Sequence, residues 1–184
     1  MNATPTVPTT PATGSSAPNV AYAVVDSPIG PLTLVATDDA LVELRFPNHD
    51  DGTHPCAAAL PGSPDPGHPV LSRAAVELAE YFAGERTDFD IPLAPVGTAF
   101  QLDAWTTLRT IPYGETVSYG EQARRLGAPN KARAVGAANG RNPIPVIVPC
   151  HRVIGANGRL TGFGGGVESK AWLLTHEQQV RART

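Results

Sequence analysis

Cysteine, methionine and lysine are all scarce in this chain of 184 residues, and each scarcity excludes something. The two cysteines, Cys56 and Cys150, are too few and too far apart for a disulfide framework. The fold must therefore rest on a core, and a hydrophobic content of 41% is enough for one. No apolar run approaches the roughly 18 residues that cross a bilayer. The N-terminal residues show no basic segment followed by an apolar one, so the expected address is the cytosol, where thiols stay reduced. Only Lys131 and Lys170 are lysines; Arg carries the rest of the positive charge. A net charge of −3 argues against wholesale binding to polyanions, but it hides a split. Residues 1–98 sum to −9, residues 99–160 to +5, and residues 161–184 to +1. A basic second half is consistent with a local anionic partner such as nucleic acid, and equally with an ordinary solvated face.

Residues 1–18 (MNATPTVPTTPATGSSAP) hold no charge and almost no large apolar side chain, so they read as a disordered tail. Residues 19–95 read as a small α+β domain. AYAVVD, LTLVAT and LVELRF alternate as strands, separated by turns at SPIGP and at Asp38–Asp39, which predicts an antiparallel meander. Residues 47–68, rich in Pro, Gly, Asp and His, predict a loop. Pro69 opens a helix with Leu71, Ala74, Ala75, Leu78 and Phe82 on one face and Gly84 as its stop. FDIPL adds a candidate strand.

Residues 96–184 form a second, mostly helical unit. Thr98 with Gln101 is a capping-box pattern before a helix carrying Phe100, Ala104, Leu108 and Ile111. Ser118 with Glu121 repeats the pattern before a short helix that stops at Gly127. Asn130 is the expected N-cap of the next helix, and Gly140 its terminator. Two short helices joined by a tight turn make a helix-turn-helix. The second one, KARAVGAAN, is almost bare of long side chains. Such a helix can lie against a nucleic-acid backbone, with Lys131, Arg133 and Arg141 meeting phosphates, or it can pack tightly inside the protein. The pattern alone leaves both open. A glycine loop, TGFGGG, and a last amphipathic helix, VESKAWLLTHEQQV, complete the chain.

The segment NPIPVIVPCHRVIG sets Cys150 beside His151 and Arg152. A thiol of ordinary pKa, about 8.5, is only about 3% ionised at pH 7. A nucleophilic role requires surroundings that favour the anion or accept the proton. Adjacency alone is weak evidence, because neighbours on an extended strand face opposite ways. Pro143, Pro145 and Pro149 stiffen the approach and remove hydrogen-bond donors, which suits rigid presentation of one side chain.

The run Val117–Gly166 resembles the O6-alkylguanine-DNA alkyltransferases, the methylated-DNA–protein-cysteine methyltransferase family. VSYGEQARRLG, ARAVGAANGRNPIPVIVPCHRVIG, the glycine loop and WLLTHE carry the likeness, with PCHRV the most specific part. It is strong over about residues 96–178 and reaches the N-terminal domain only through order and size. It implies an α+β fold: a ribonuclease H-like N-terminal domain of antiparallel sheet plus helix, then a helical domain with a winged-helix-like helix-turn-helix.

The resemblance also implies a chemistry. The chain would transfer an alkyl group from O6-alkylguanine in double-stranded DNA, with O4-alkylthymine as a second candidate lesion, to its own Cys150, once per molecule. The target base would be flipped out of the duplex into a pocket. His151 matches the position that takes the thiol proton through a water, and Glu177 the position that orients this histidine. Tyr119 matches the proton donor to the departing base. Arg133 matches the residue that fills the gap left by the flipped base. Ala134 and Gly136 belong to the bare helix, which suits a minor groove about 6 Å wide. Asn142 matches the hinge, and the backbone near Val153 and Gly164 the guanine edge. Phe163 stands where relatives often carry a tyrosine lid. Gly164–Gly166 suggests room for groups larger than methyl. No cofactor and no metal is implied; His49, His54, Cys56 and His68 lack zinc-ligand spacing. The expected unit is a monomer, loading on DNA singly or cooperatively. Two other classes remain: a module that binds alkylated DNA without transfer, and a cysteine hydrolase, for which no oxyanion hole is evident.

Overall fold

The computed structural model describes residues 20–47 and 62–183. The expected N-terminal tail, and His49, His54 and Cys56, lie outside the described residues. The alternating segments form β1 (Val20–Val25), β2 (Leu32–Thr37) and β3 (Leu41–Arg45). β1 and β2 pair antiparallel with Val20 opposite Thr37, and β2 pairs antiparallel with β3 across a register shift at Val35/Ala36. The expected loop yields a short fourth strand, β4 (Ser63–Pro64), parallel to β1, so the sheet order is β3-β2-β1-β4. Two residues, one of them a proline without a donor, carry no strand pattern to detect. FDIPL, in contrast, makes one bridge, Leu93 to Leu41, and no strand. Pro92 can accept from Leu41 but has no N–H to extend a ladder.

Helix α1 (Pro69–Ala83) starts on its proline and ends at Gly84, whose φ of 78° lets its N–H reach back to Glu80 and Tyr81. It buries Leu71, Ala74, Leu78 and Tyr81, and packs against the sheet. Each buried leucine contributes about 1.5–3 kcal/mol.

The second unit contains α2 (Ala99–Leu108), β5 (Val117–Ser118), α3 (Tyr119–Arg125), α4 (Ala132–Asn139), β6 (Val153–Ile154) and α5 (Gly166–Arg181). Thr98 and Gln101 form the full capping box. Ser118 accepts from Glu121 N–H, but the Glu121 carboxylate pairs with Arg124 and Arg125. The expected Asn130 cap is displaced: a turn closed by Lys131 N–H on Ala128 O moves the helix start on, and Lys131 caps without a side-chain bond. Gly140 keeps a right-handed conformation, φ −64°, because the chain winds on through Arg141 and Asn142, which bond back to Ala138 and Asn139.

Buried polar bonds lock the helix pair. Gln122 and Asn139 exchange two amide bonds of 3.1 and 2.7 Å, Gln122 also donates to Ala104 O, and Trp105 Nε1 donates to Ala138 O. The parallel pair β5–β6 sets Val117 opposite Val153, which brings Tyr119 beside the segment that follows Cys150. One hydrophobic core runs through both units, and Leu44 N–H of β3 donates to Pro143 O at 2.8 Å. No helix among the described residues is long and apolar enough to cross a membrane.

Candidate active site

The proline-spaced run does not form a strand. Val146 has a φ of 74°, which a β-branched residue adopts only under constraint. A tight 3-10 turn, Cys150–Arg152, follows, so Cys150 and His151 are not placed by strand alternation. Asn142 holds the run together. Its amide nitrogen donates to Val148 O at 2.8 Å and to Cys150 Sγ at 3.1 Å, while its oxygen accepts from Ile144 N–H. The expected hinge is thus also a donor to the sulfur.

His151 is fully buried, with Nε2 2.9 Å from Glu177 Oε1. Glu177 is fully buried too, and it is the acceptor for more than a histidine. Arg152 reaches it through Nε and Nη2, at 2.9 Å each, while Arg152 Nη1 donates to Ile111 O. Gly114 N–H and the Tyr81 hydroxyl donate as well, at 2.9 and 2.7 Å. Burial alone would raise the Glu177 pKa; the hydrogen bonds from His151 and Arg152 and the Arg152 charge outweigh it and hold the carboxyl well below the usual range. Glu177 is therefore an anion and accepts only. It follows that His151 carries its proton on Nε2 and keeps a lone pair on Nδ1. Burial lowers the His151 pKa, so the ring rests neutral. Nδ1 is buried and meets no hydrogen-bond partner among the described residues.

Of the two routes open to a nucleophilic thiol, surroundings that favour the anion are not what this sulfur has. Cys150 is 6% exposed, and burial pushes its pKa up to about 11, against the opposing pull of the Asn142 amide and the Lys170 charge. At rest the sulfur is a neutral thiol. Lys170 went unnoticed in the sequence. It is fully buried on α5, and its Nζ donates to Val153 O at 2.6 Å and Thr161 O at 3.0 Å. It thereby ties the glycine loop to β6 and keeps a positive charge near the sulfur. The Val153 side chain is core, and its carbonyl is engaged by this lysine.

Tyr119, Arg133 and Gly136 line an open cavity of about 420 Å³ together with Thr161 and Gly162. Cys150 is not among its lining residues. The Tyr119 hydroxyl lies 3.2 Å from Thr161 Oγ1, and Lys170 Nζ sits 6.0 Å from its ring centre. A Cβ at Gly136 would meet the Tyr119 ring at 3.6 Å, an ordinary contact distance. Arg133, Ala134, Arg141 and Lys131 are exposed on or beside α4, Lys131 over the Phe100 ring. Phe163 is half-buried, edge-on to Phe46 at 5.4 Å and to His151 at 6.3 Å. Gly164 lies apart from Tyr119, in a second cavity of about 450 Å³ shared with Ile29, Phe46 and Pro47. The space expected at the glycine loop is partly taken: a Cβ on Gly165 would stand 2.6 Å from the Phe46 ring. Among the described residues no group of three His, Cys, Asp or Glu could hold a metal.

The geometry has counterparts in known proteins. Residues 20–95 match the ribonuclease-like domain of 6-O-methylguanine DNA methyltransferase, and residues 99–179 match its DNA-binding domain. The methylated-DNA–protein-cysteine methyltransferase of Mycobacterium tuberculosis is 52% identical over 160 residues, spanning 85% of this chain and 92% of that one. That of Methanosarcina acetivorans is 47% identical over 156 residues, 85% and 97% of the two chains. The crystal structure of Mycobacterium tuberculosis OGT in complex with DNA superposes with a TM-score of 0.79 at 51% identity, covering 87% of this chain and 94% of that one. On two domain matches that together span most of its length, and on relatives near half identity along nearly all of theirs, the chain belongs to the methylated-DNA–protein-cysteine methyltransferase family.

Proposed function

We propose that this protein repairs double-stranded DNA by moving the alkyl group of O6-alkylguanine irreversibly onto Cys150. The observation that carries the reading is the neutral thiol beside a neutral, carboxylate-oriented imidazole whose Nδ1 is buried without a partner. The sulfur attacks the alkyl carbon, an S–C bond forms, and the C–O6 bond breaks with its electron pair going to the base. The thiol proton passes to His151 Nδ1, directly or through a water. The imidazolium so formed faces the Glu177 anion, which favours it. Tyr119, on the cavity wall, gives a proton to the departing base. Lys170 and the Asn142 amide stabilise charge developing on sulfur.

Arg133, Ala134 and Gly136 present the thin helix to the minor groove, with Arg133 entering the gap left by the flipped base, and Lys131 and Arg141 meeting phosphates. Phe163, Thr161 and Gly162 bound the base, while the Val153 carbonyl is held by Lys170 and Gly164 lies in the other cavity. A thioether does not revert, so each molecule acts once, as a monomer, with its own sulfur as acceptor and no cofactor. The tail (1–18), the N-terminal domain (19–95) and the acceptor domain (96–184) divide the chain. A free reactive thiol supports a cytoplasmic address.

Duplex DNA bearing O6-methylguanine tests the reading. Mass spectrometry should find about 14 Da added to the peptide holding Cys150, the exchange of hydrogen for methyl. Tight binding with the lesion intact and Cys150 unmodified would instead establish a binding module.

A further inference from the structure

The acceptor domain borrows one hydrogen bond for its carboxylate from the other domain. Tyr81 lies on α1, is fully buried, and donates its hydroxyl to Glu177 Oε1 at 2.7 Å. The same oxygen faces His151 Nε2 at 2.9 Å and Arg152 Nη2 at 2.9 Å, while Gly114 N–H and Arg152 Nε hold Oε2. Arg152 already balances the charge. What the tyrosine adds is a further donor on Oε1, the oxygen that faces the histidine, where it sharpens an orientation that Arg152 and Gly114 already set in outline. The ring itself is packed by Phe82, Phe89, Tyr113 and His176, and the Tyr81 carbonyl accepts from His176 Nε2 at 2.8 Å. Packing does not demand the hydroxyl: Tyr113, in the same cluster, has a buried hydroxyl with no hydrogen-bond partner among the described residues.

We propose that Tyr81 is a positioning residue for alkyl transfer, orienting Glu177 against His151 so that the N-terminal domain completes the proton relay. This rests on the reading of Cys150, His151 and Glu177 as that relay. Tyr81 touches neither the sulfur nor the base; it acts through Glu177. The groups that set the charge state of His151 are Glu177 and Lys170 from α5 and Arg152 from its own turn. Those that face the Tyr81 hydroxyl are Glu177, Arg152 and Tyr113.

Tyr81→Phe in the full chain keeps the ring and deletes the donor. Single-turnover methyl transfer from an O6-methylguanine duplex is measured across pH, together with DNA affinity and melting temperature. Leu71→Val, in the same domain but away from Glu177, controls for lost stability. The transfer rate of Tyr81→Phe should fall about tenfold at its plateau, as for a hydrogen bond to an ionised group, with DNA affinity unchanged. The acid limb of the profile should move to higher pH, because a carboxylate with one donor fewer draws the His151 proton more strongly. A wild-type rate and an unmoved limb, or a loss no larger than that of Leu71→Val with an unmoved limb, overturns the assignment. If wild-type Cys150 takes up no methyl, the relay itself falls; if it does and Tyr81→Phe is indifferent, only Tyr81 falls.

Discussion

Replacing Glu177 by glutamine is nearly isosteric and removes one buried charge. In the native protein the two carboxylate oxygens accept from Tyr81, His151, Arg152 and the Gly114 N–H, all donors. An amide in this place points an NH₂ at donors whichever way it is turned, and it strands Arg152, whose side chain is only 8% exposed. Removing one partner of a buried pair costs about 3–5 kcal/mol. For a chain of this size that is a melting temperature lower by about 6–20 °C. The pH dependence carries a sign. The folded pKa of Glu177 is depressed, so its contribution is complete above the usual carboxylate range and is lost as pH falls through that range toward the folded value. The gap in stability between wild type and Glu177→Gln should therefore be flat from pH 8 to about 5 and shrink below about 4.5. Urea denaturation at a series of pH values measures it. A gap under about 1 kcal/mol at pH 7, the size of an exposed pair, or one that widens on acidification, refutes the account.

Two further outcomes follow. The Cys150 thiol is raised by burial from 9.0 to about 11, so its contribution to stability is present below pH 9 and lost as pH climbs toward 11. Cys150→Ala should lack that alkaline loss, and iodoacetamide should label native Cys150 far more slowly than the urea-unfolded chain at pH 7.5; equal rates would show an ionised or open thiol. Gly165→Ala meets no backbone strain, φ being −87°, but sets a methyl within 2.6–2.8 Å of three Phe46 ring carbons. The expected cost is about 1–3 kcal/mol, largely relieved by Phe46→Leu in the same molecule, and strict additivity of the two substitutions in a melting cycle would show that the contact does not matter.

Local chemistry was legible in the sequence where one or two neighbours decide it. The capping box at Thr98 and Gln101 and the left-handed stop at Gly84 need only residues a turn away. The Asn130 cap failed because the turn ahead of α4 competes for the same backbone. The inner face of α5 could not be read from hydrophobicity at all: its buried residues are Lys170, Leu173 and Glu177, two of the three charged. Their spacing of three and four places them on one stripe, but a stripe of charge ordinarily reads as solvated. Arg152 was visible beside His151, yet nothing local says which of 17 acidic residues balances it. The Tyr81–Glu177 bond closes a separation of 96 residues. Function lay in PCHRV; the support that makes it work lay in contacts that only the fold brings together.

Under the proposed transfer, a neutral thiol is a nucleophile kept in reserve. With its pKa raised by burial, the thiol carries less anion at pH 7 than the about 3% of an exposed cysteine. A protein that acts once per molecule loses its use to any stray electrophile, so low intrinsic ionisation protects it. The reaction then cannot rely on standing thiolate, and proton removal has to accompany attack. That is the arrangement found: a buried imidazole held neutral, its proton on the nitrogen facing Glu177 and its free lone pair on the other. Under the proposed transfer, burial raises the thiol and lowers the histidine together, so the proton leaves sulfur as the sulfur pair goes to carbon and the C–O6 pair goes to the base.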